Sequence, residues 1–329
     1  MINIKDLRIN LEQCLMSSHQ MIIVPHNKVD FDAIGSAIAL TLIGNKYKKD
    51  PYVIVNDPPH IMERGCKIIM DDSKNDIKFT NKEKYLKIHN DDNLFVLTDV
   101  NKKRLISMAD IAKNPEKTFI IDHHLPDDDT LESNHIYIDS TVSSASEIIY
   151  KLLNEYKIKI PVNIANYLLA GIYLDTSKFV KNTSPQTMEI VSKLMHCGAN
   201  LDTVSSWFTE DIESYKKVHA LVSAMDVIQY TYALIQASDD VEYEKEELAK
   251  AADEALKFGN DASFVIGRLS DEIIGISARS KSDLNVEPIM KEFGGGGNNH
   301  SGAAQIKGST IPEIGEQLKK ILKPKYYNK

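Results

Sequence analysis

Residues 119–126 read F-I-I-D-H-H-L-P. The stretch from Thr118 to Ile121 is short, β-branched and aromatic, the pattern of a buried strand. It stops at Asp122, and His123 and His124 follow before Pro126. Asp-His-His at that point has two readings. The three residues are the polar start of a turn, or they are side chains held out at the carboxyl end of a strand. The triplet alone does not separate the two, so the rest of the chain has to.

Working outward, apolar runs at 21–25, 52–55, 94–97 and 136–138 read as further strands, and helical stretches at 33–43 and 103–113 fit between them. Alternation of this kind predicts an α/β domain, doubly wound around a mostly parallel sheet. Beyond Asp139 the pattern turns helical, from 145 to about 225. A second, smaller α/β segment follows. It holds a strand at 228–236, a helix at 242–258 rich in Glu, Lys and Ala, paired strands at 263–267 and 273–277, and a glycine run at 294–297. The expected domains are 1–215 and 226–325, joined in or just after a helix, since no Pro/Gly linker marks the boundary.

Of the 329 residues, 43% are hydrophobic and 26% charged, which is enough apolar side chain for two cores. No apolar run reaches eighteen residues, so no transmembrane helix is expected, and the N-terminus lacks the basic start and apolar core of a secretory signal. Cys14, Cys66 and Cys197 are scattered without metal-ligand spacing. They argue against a disulfide framework and for a reducing cytoplasm. A net charge of −8 argues against a broad basic surface for long nucleic acid. It leaves room for a small anionic substrate where bound cations reverse the local field.

Ligands of a doubly wound sheet sit beyond the carboxyl ends of its strands. The first strand ends at His26, with Asp30 and Asp32 just after it. The run at 94–97 leads to Asp99, the run at 118–121 leads to Asp122, His123 and His124, and the apolar segment 167–174 leads to Asp175. Singly, each has an ordinary explanation: Asp30 and Asp32 as a helix cap and a first-turn acid, Asp99 as an Asx-turn, Asp175 as a cap. Together His26, Asp30, Asp32, Asp99, His123 and Asp175 are carboxylates and imidazoles without thiolates. That set suits two divalent cations, Mn²⁺ with Mg²⁺, Fe²⁺ or Co²⁺ as substitutes, which activate water and neutralise charge on phosphorus. In the second segment the glycines let backbone N–H groups approach an anion, and Arg279 can clamp a phosphate. Lys102, three residues past Asp99, is a further phosphate candidate.

The ordered set H-x-x-x-D-x-D-A-I-G-S from His26, then Asp99, then Asp122-His-His, then L-L-A-G-I-x-x-D-T ending at Thr176, resembles the DHH phosphoesterase family. I-S-A-R-S at 276–280, N-V-x-x-I-M at 285–290 and F-G-G-G-G at 293–297 are similar to the DHH-associated domain. The resemblance implies two α/β domains with the active site in the cleft. It implies one Mn²⁺ on His26, Asp30 and Asp99, and a second on Asp32, Asp99, His123 and Asp175, with Asp99 bridging. Asp122 would orient a histidine, and His124 would face the substrate phosphate as hydrogen-bond donor or proton source. Gly295, Gly296, Gly297, Arg279 and Lys102 would contact substrate, and the protein would be a homodimer.

Within that family, the blocks at 35–38, 143–147, 175–179 and 252–280 resemble the catalytic part of membrane-bound cyclic-di-AMP phosphodiesterases, without their N-terminal membrane helices and sensory domains. The expectation is hydrolysis of cyclic-di-AMP to linear pApA, by a stand-alone form or a catalytic core. One alternative is a nanoRNA or pApA hydrolase with 3′-phosphoadenosine-5′-phosphate phosphatase activity. Another, of a different class, is a nucleotide-binding sensor of low activity, against which the intact ligand set argues. Two departures stand out. Val29 occupies a place where the family usually has proline. Asn298 and Asn299 separate the glycine run from His300, so either His300 reaches substrate through a longer loop or Asn298 replaces it.

Overall fold

Strands covered on both faces are apolar throughout, because neither side meets water. The computed structural model, which describes residues 3–58, 62–209, 212–229, 231–281 and 283–322, follows that rule. In the first unit, Met1–Thr209, the strands are β1 (Met21–Val24), β2 (Tyr52–Ile54), β3 (Lys78–Thr80), β4 (Leu94–Thr98), β5 (Thr118–Asp122) and β6 (His135–Ile138). They pair in the order β3-β2-β1-β4-β5-β6, every pair parallel. β1, β4 and β5 are buried at every position. The short edge strand β3 has a polar sequence and gave no apolar run to read.

The helices of this unit are α1 (Ile4–Met16), α2 (Phe31–Lys46), α3 (Arg64–Ser73), α4 (Lys82–Leu86), α5 (Ala145–Glu155), α6 (Val162–Asp175), α7 (Pro185–His196) and α8 (Leu201–Trp207). One core joins Ile23 and Val96 of the sheet to Ile34 and Ile38 of α2, Ile148 of α5 and Leu168 of α6. The opposite face, with Ile22, Leu97 and Ile120, is covered by Tyr85 of α4 and by Ile106, Met108 and Ala112. These last three lie in the stretch expected to form a helix at 103–113. It is instead a 3-10 turn at Lys103–Leu105 followed by further turns. Three successive cations open it without an N-cap hydrogen bond, against the helix dipole. Arg104 is drawn to Asp129 at 2.9 Å, and the Lys103 amide donates to the Asp129 carbonyl.

In the second unit, Glu210–Lys329, the elements are α9 (Ile212–Ser223), β7 (Met225–Ile228), β8 (Tyr232–Gln236), α10 (Lys245–Leu256), β9 (Ala262–Ser270), β10 (Ile273–Ser280), α11 (Val286–Lys291), β11 (Gly296–Gly297), β12 (Ser301–Lys307) and α12 (Ile311–Leu322). The sheet order is β11-β12-β10-β9-β8-β7, with β8–β9 parallel and the other pairs antiparallel. The single strand expected at 228–236 is a hairpin: β7 and β8 pair in register Ile228↔Tyr232, turning through Gln229 at φ +51°. The turn carries no Gly, Pro, Asn or Asp, which is why the run looked continuous. Tyr230 and residues 323–325 of the expected second domain lie outside the described residues. Among the described residues no helix is long and apolar enough to cross a membrane.

Candidate metal centre

Every polar residue singled out in the first unit lies at the carboxyl edge of its sheet or on a helix covering it. His26 follows β1, and its Nδ1 lies 2.8 Å from the Asn27 carbonyl, which leaves Nε2 to face the site. The loop from His26 to Asp30 is clamped by Asp57, whose carboxylate accepts the Lys28 and Val29 amides at 2.9 and 2.7 Å. A proline at position 29 would lack the second of these donors. Lys28 sits in the left-handed region at φ +59°.

Asp30 is a helix cap and a site group at once. Its Oδ1 accepts the Asp32 and Ala33 amides that open α2, and its Oδ2 lies 3.5 Å from His26 Nε2. Asp32, fully buried in the first turn of α2, accepts the Ala145 and Ser146 amides of α5 at 2.7 and 2.8 Å. Gly171 of α6 makes that packing possible, since a Cβ there would stand 2.5 Å from Asp32 Oδ1.

Asp99 is the hub. It follows β4 in the left-handed region at φ +58°, an uncommon conformation for a residue with a Cβ. Its Oδ2 lies 3.5 Å from His26 Nε2, and its Oδ1 3.3 Å from His123 Nε2. Asp175 completes this side, its Oδ2 3.4 Å from His123 Nε2, and it is the last residue of the helix α6 rather than of a strand. Three groups of potential ligands result, each with its atoms within 4.8 Å of one another. They are His26, Asp30 and Asp99; Asp32, His123 and Asp175; and Asp99, Asp122, His123 and His124.

Two atoms test whether cations fit. Asp99 Oδ1 and His123 Nε2 are buried and have no hydrogen-bond partner. Leaving a buried acceptor unmatched costs about 1–3 kcal/mol, more when it is charged. Both atoms face the same cluster, and a divalent cation is the partner that a carboxylate oxygen and an imidazole nitrogen share.

Without cations, protons hold the cluster together. Burial, reinforced by the Asp99 charge, pushes Asp32 up to about 7. Burial and the charges of Asp32 and Asp99 push Asp175 up to about 10. Burial would lower His26, but Asp30 and Asp99 outweigh it and raise it to about 11. Burial likewise opposes a rise in His123, and Asp99 and Asp32 bring it to about 9. Asp30 moves the other way: burial would raise it, and the His26 pairing lowers it below the usual carboxylate range.

Asp122 supports His124. Its Oδ1 lies 2.9 Å from His124 Nδ1 and accepts the amides of both histidines, while its Oδ2 accepts from the Asn101 side chain at 2.6 Å. Paired this way, His124 is raised above its ordinary value, chiefly by the Asp122 hydrogen bond. Its side chain is half exposed, at 55%. Lys102 is engaged by Asp127 and by the Leu125 carbonyl at 3.1 Å. Asp57 and Asn101 were missed in the sequence. Asp57 lies just past β2, where the rule of polar residues at strand ends would have found it.

In the second unit, Arg279 on β10 and Gly296 and Gly297 on β11 line one cavity of about 400 Å³. Arg279 Nε lies 3.2 Å from Asp253. Gly295 packs where a Cβ would strike the Ala303 carbonyl. Gly295, Asn298 and His300 are not among the residues lining that cavity. The Asn298 side-chain oxygen Oδ1 accepts the His300 and Ser301 amides, both at 2.9 Å, so it closes the turn. His300 is exposed.

The DHH family, N-terminal domain, matches residues 20–172, and the DHHA1 domain matches residues 227–324. This chain belongs to the DHH family. It is 29% identical over 96% of its length to a membrane protein–large ribosomal subunit bL9 fusion protein of Aster yellows witches'-broom phytoplasma, covering 38% of that protein. It is 29% identical over 94% of its length to the cyclic-di-AMP phosphodiesterase GdpP of Bacillus subtilis, covering 48% of it. The chain thus spans half or less of the length of these relatives. It also resembles the bifunctional oligoribonuclease and PAP phosphatase NrnA of Mycoplasma pneumoniae, at 29% identity over 56% of each chain. The fold matches that of an exopolyphosphatase-related protein from Bacteroides fragilis, with a TM-score of 0.78, 22% identity and 97% of both chains covered. It also matches the exonuclease RecJ bound to manganese, with a TM-score of 0.53, 11% identity, and 96% and 94% covered.

Proposed function

We propose that this DHH-family chain is a metal-dependent phosphodiesterase that hydrolyses cyclic-di-AMP to linear pApA. The observation that carries the chemistry is Asp99 lying between two ligand groups, its Oδ2 toward His26 of one and its Oδ1 toward His123 of the other, with two buried atoms left without partners. The substrate reading is supported by the likeness to GdpP across 94% of the chain.

His26, Asp30 and Asp99 would hold one cation, and Asp32, Asp99, His123 and Asp175 the other. Two bound Mn²⁺, or Mg²⁺ in their place, would supply Lewis-acid polarisation of the phosphoryl oxygens and a water of lowered pKa. RecJ, a protein of this fold, is bound to manganese. The chain's own residues position and move protons. Asp122 fixes the His124 ring through Nδ1 and favours its protonated form, so Nε2–H is available to a phosphate oxygen or to the leaving 3′ oxygen. Asn101 holds Asp122 in turn. In the second unit, Arg279, with Gly296 and Gly297 beside it on the cavity wall, would take a substrate phosphate. His300 is the better substrate contact than Asn298, whose side-chain oxygen is already committed to its turn.

The likeness to NrnA supports a second reading, hydrolysis of pApA or short RNA to mononucleotides, with 3′-phosphoadenosine-5′-phosphate as a further substrate. Incubating the protein and Mn²⁺ with cyclic-di-AMP, pApA and a short RNA in parallel separates the two. Cyclic-di-AMP converted to pApA that persists supports the first. Cyclic-di-AMP left intact while pApA goes to AMP supports the second.

A further inference from the structure

The metal cluster borders two cavities of opposite character. One, of about 210 Å³, is lined by His26, Asp99, His124, Lys102 and Arg104 and is charged. The other, of about 490 Å³, starts at His123 and runs between the loops 140–143 and 182–184. Among the described residues, His123 is the one titratable group on its wall. The rest are hydroxyls, one amide and Val142. We propose that this second cavity is a ribose subsite, and that it makes the protein prefer ribonucleotides over deoxyribonucleotides. This rests on the phosphodiesterase reading above and adds the sugar to it.

The wall chemistry favours a sugar over a phosphate. Among the described residues, no Lys or Arg lines the cavity. The two helix N-termini beside it are already capped. The Ala145 and Ser146 amides of α5 donate to Asp32, and the Thr187 amide of α7 donates to Ser184 Oγ. Those capped amides are not available to an anion, whereas hydroxyls and a side-chain amide suit a neutral polar ligand. A ribose needs donors and acceptors in alternation, which hydroxyl and amide side chains supply.

Two side chains are available for it. Among the described residues, Ser140 and Asn182 make no hydrogen bond within the protein, and both are exposed at the cavity wall. The other polar groups are spent on holding the walls. The buried Glu147 Oε1 accepts from the Ser143 hydroxyl on one loop and from Thr187 Oγ1 at 2.8 Å on the other side. Thr187 shares a 3.0 Å hydrogen bond with Ser184. One carboxylate oxygen therefore sets the spacing of the two walls. Hydrogen-bonding groups on walls of fixed spacing reject an analogue that lacks the matching hydroxyl.

The test is calorimetric binding of AMP and 2′-deoxy-AMP to the Mn²⁺-supplemented protein, with initial rates on pApA and its deoxy counterpart beside it. AMP should bind about tenfold more tightly than 2′-deoxy-AMP. Asn182→Gly, which keeps the left-handed φ of +50°, and Ser140→Ala should weaken AMP alone and close the gap. Equal affinity of the wild type for both nucleotides overturns the subsite, and so do variants that weaken both nucleotides equally. If the sugar preference in binding holds while no diester is cleaved, the phosphodiesterase reading falls and the ribose subsite stands.

Discussion

The two units place functional groups in different ways. In the first, six ligand candidates come from four stretches far apart in sequence, and side-chain oxygens lock their backbone. Asp57 holds the loop before Asp30, Asp30 opens α2, and Asp32 ties α2 to α5. In the second, the candidates lie on β10, on the short strand β11 and on the turns flanking β11, with β12 pairing between the two strands. The first arrangement makes a rigid cluster of side chains, and the second a tightly packed glycine turn beside one arginine.

If that contrast holds, changes in the two units should separate metal chemistry from substrate capture. The largest effect short of losing a ligand belongs to Asp122→Ala. It should lower kcat about 10–100-fold with metal content unchanged, because it frees His124 without removing a ligand. Gly295→Ala should raise KM at normal metal content, since its Cβ would strike the Ala303 carbonyl and shift the glycine turn. Loss of bound metal in Gly295→Ala would break the contrast.

A pH dependence sharpens it. Asp32, Asp175, His123 and His26 are raised to about 7, 10, 9 and 11. The folded, metal-free chain therefore keeps protons that the unfolded chain has released, and its stability falls as pH rises through that window. Cations must displace the same protons, so metal affinity rises with pH. The increase in melting temperature on adding Mn²⁺ should be larger at pH 8 than at pH 6. An equal increase at both would mean that these groups are not the ligands. The smallest effect is that of Val29→Pro, which removes the amide donated to Asp57 and should cost about 1 kcal/mol in chemical denaturation.

Much of the first unit was legible because a polar residue directly after a buried apolar run is conspicuous: His26, Asp99 and Asp122 all stand there. Asp175 was found by the same signal although it ends a helix, since α6 is apolar on nearly every side. Asp57 stood at a strand end and was overlooked there, whereas most of what stayed hidden depends on hydrogen bonds rather than on pattern. Asn101 acts by holding the Asp122 side chain in place. The 225–236 hairpin turns without a turn residue, and the 103–113 segment is shaped by Asp129 rather than by its own periodicity. The turn-closing role of Asn298 shows only in its side-chain oxygen, which accepts two amides.

The central claim is that Asp99 is shared between two cation sites. Equilibrium dialysis against Mn²⁺ with elemental analysis, on wild type, His26→Ala and Asp99→Ala at one free-metal concentration, tests it most directly. The expected stoichiometries are about two ions, one ion and none per chain, with all three proteins folded by circular dichroism. A folded Asp99→Ala that retains two ions, or a wild type that binds only one, would contradict it.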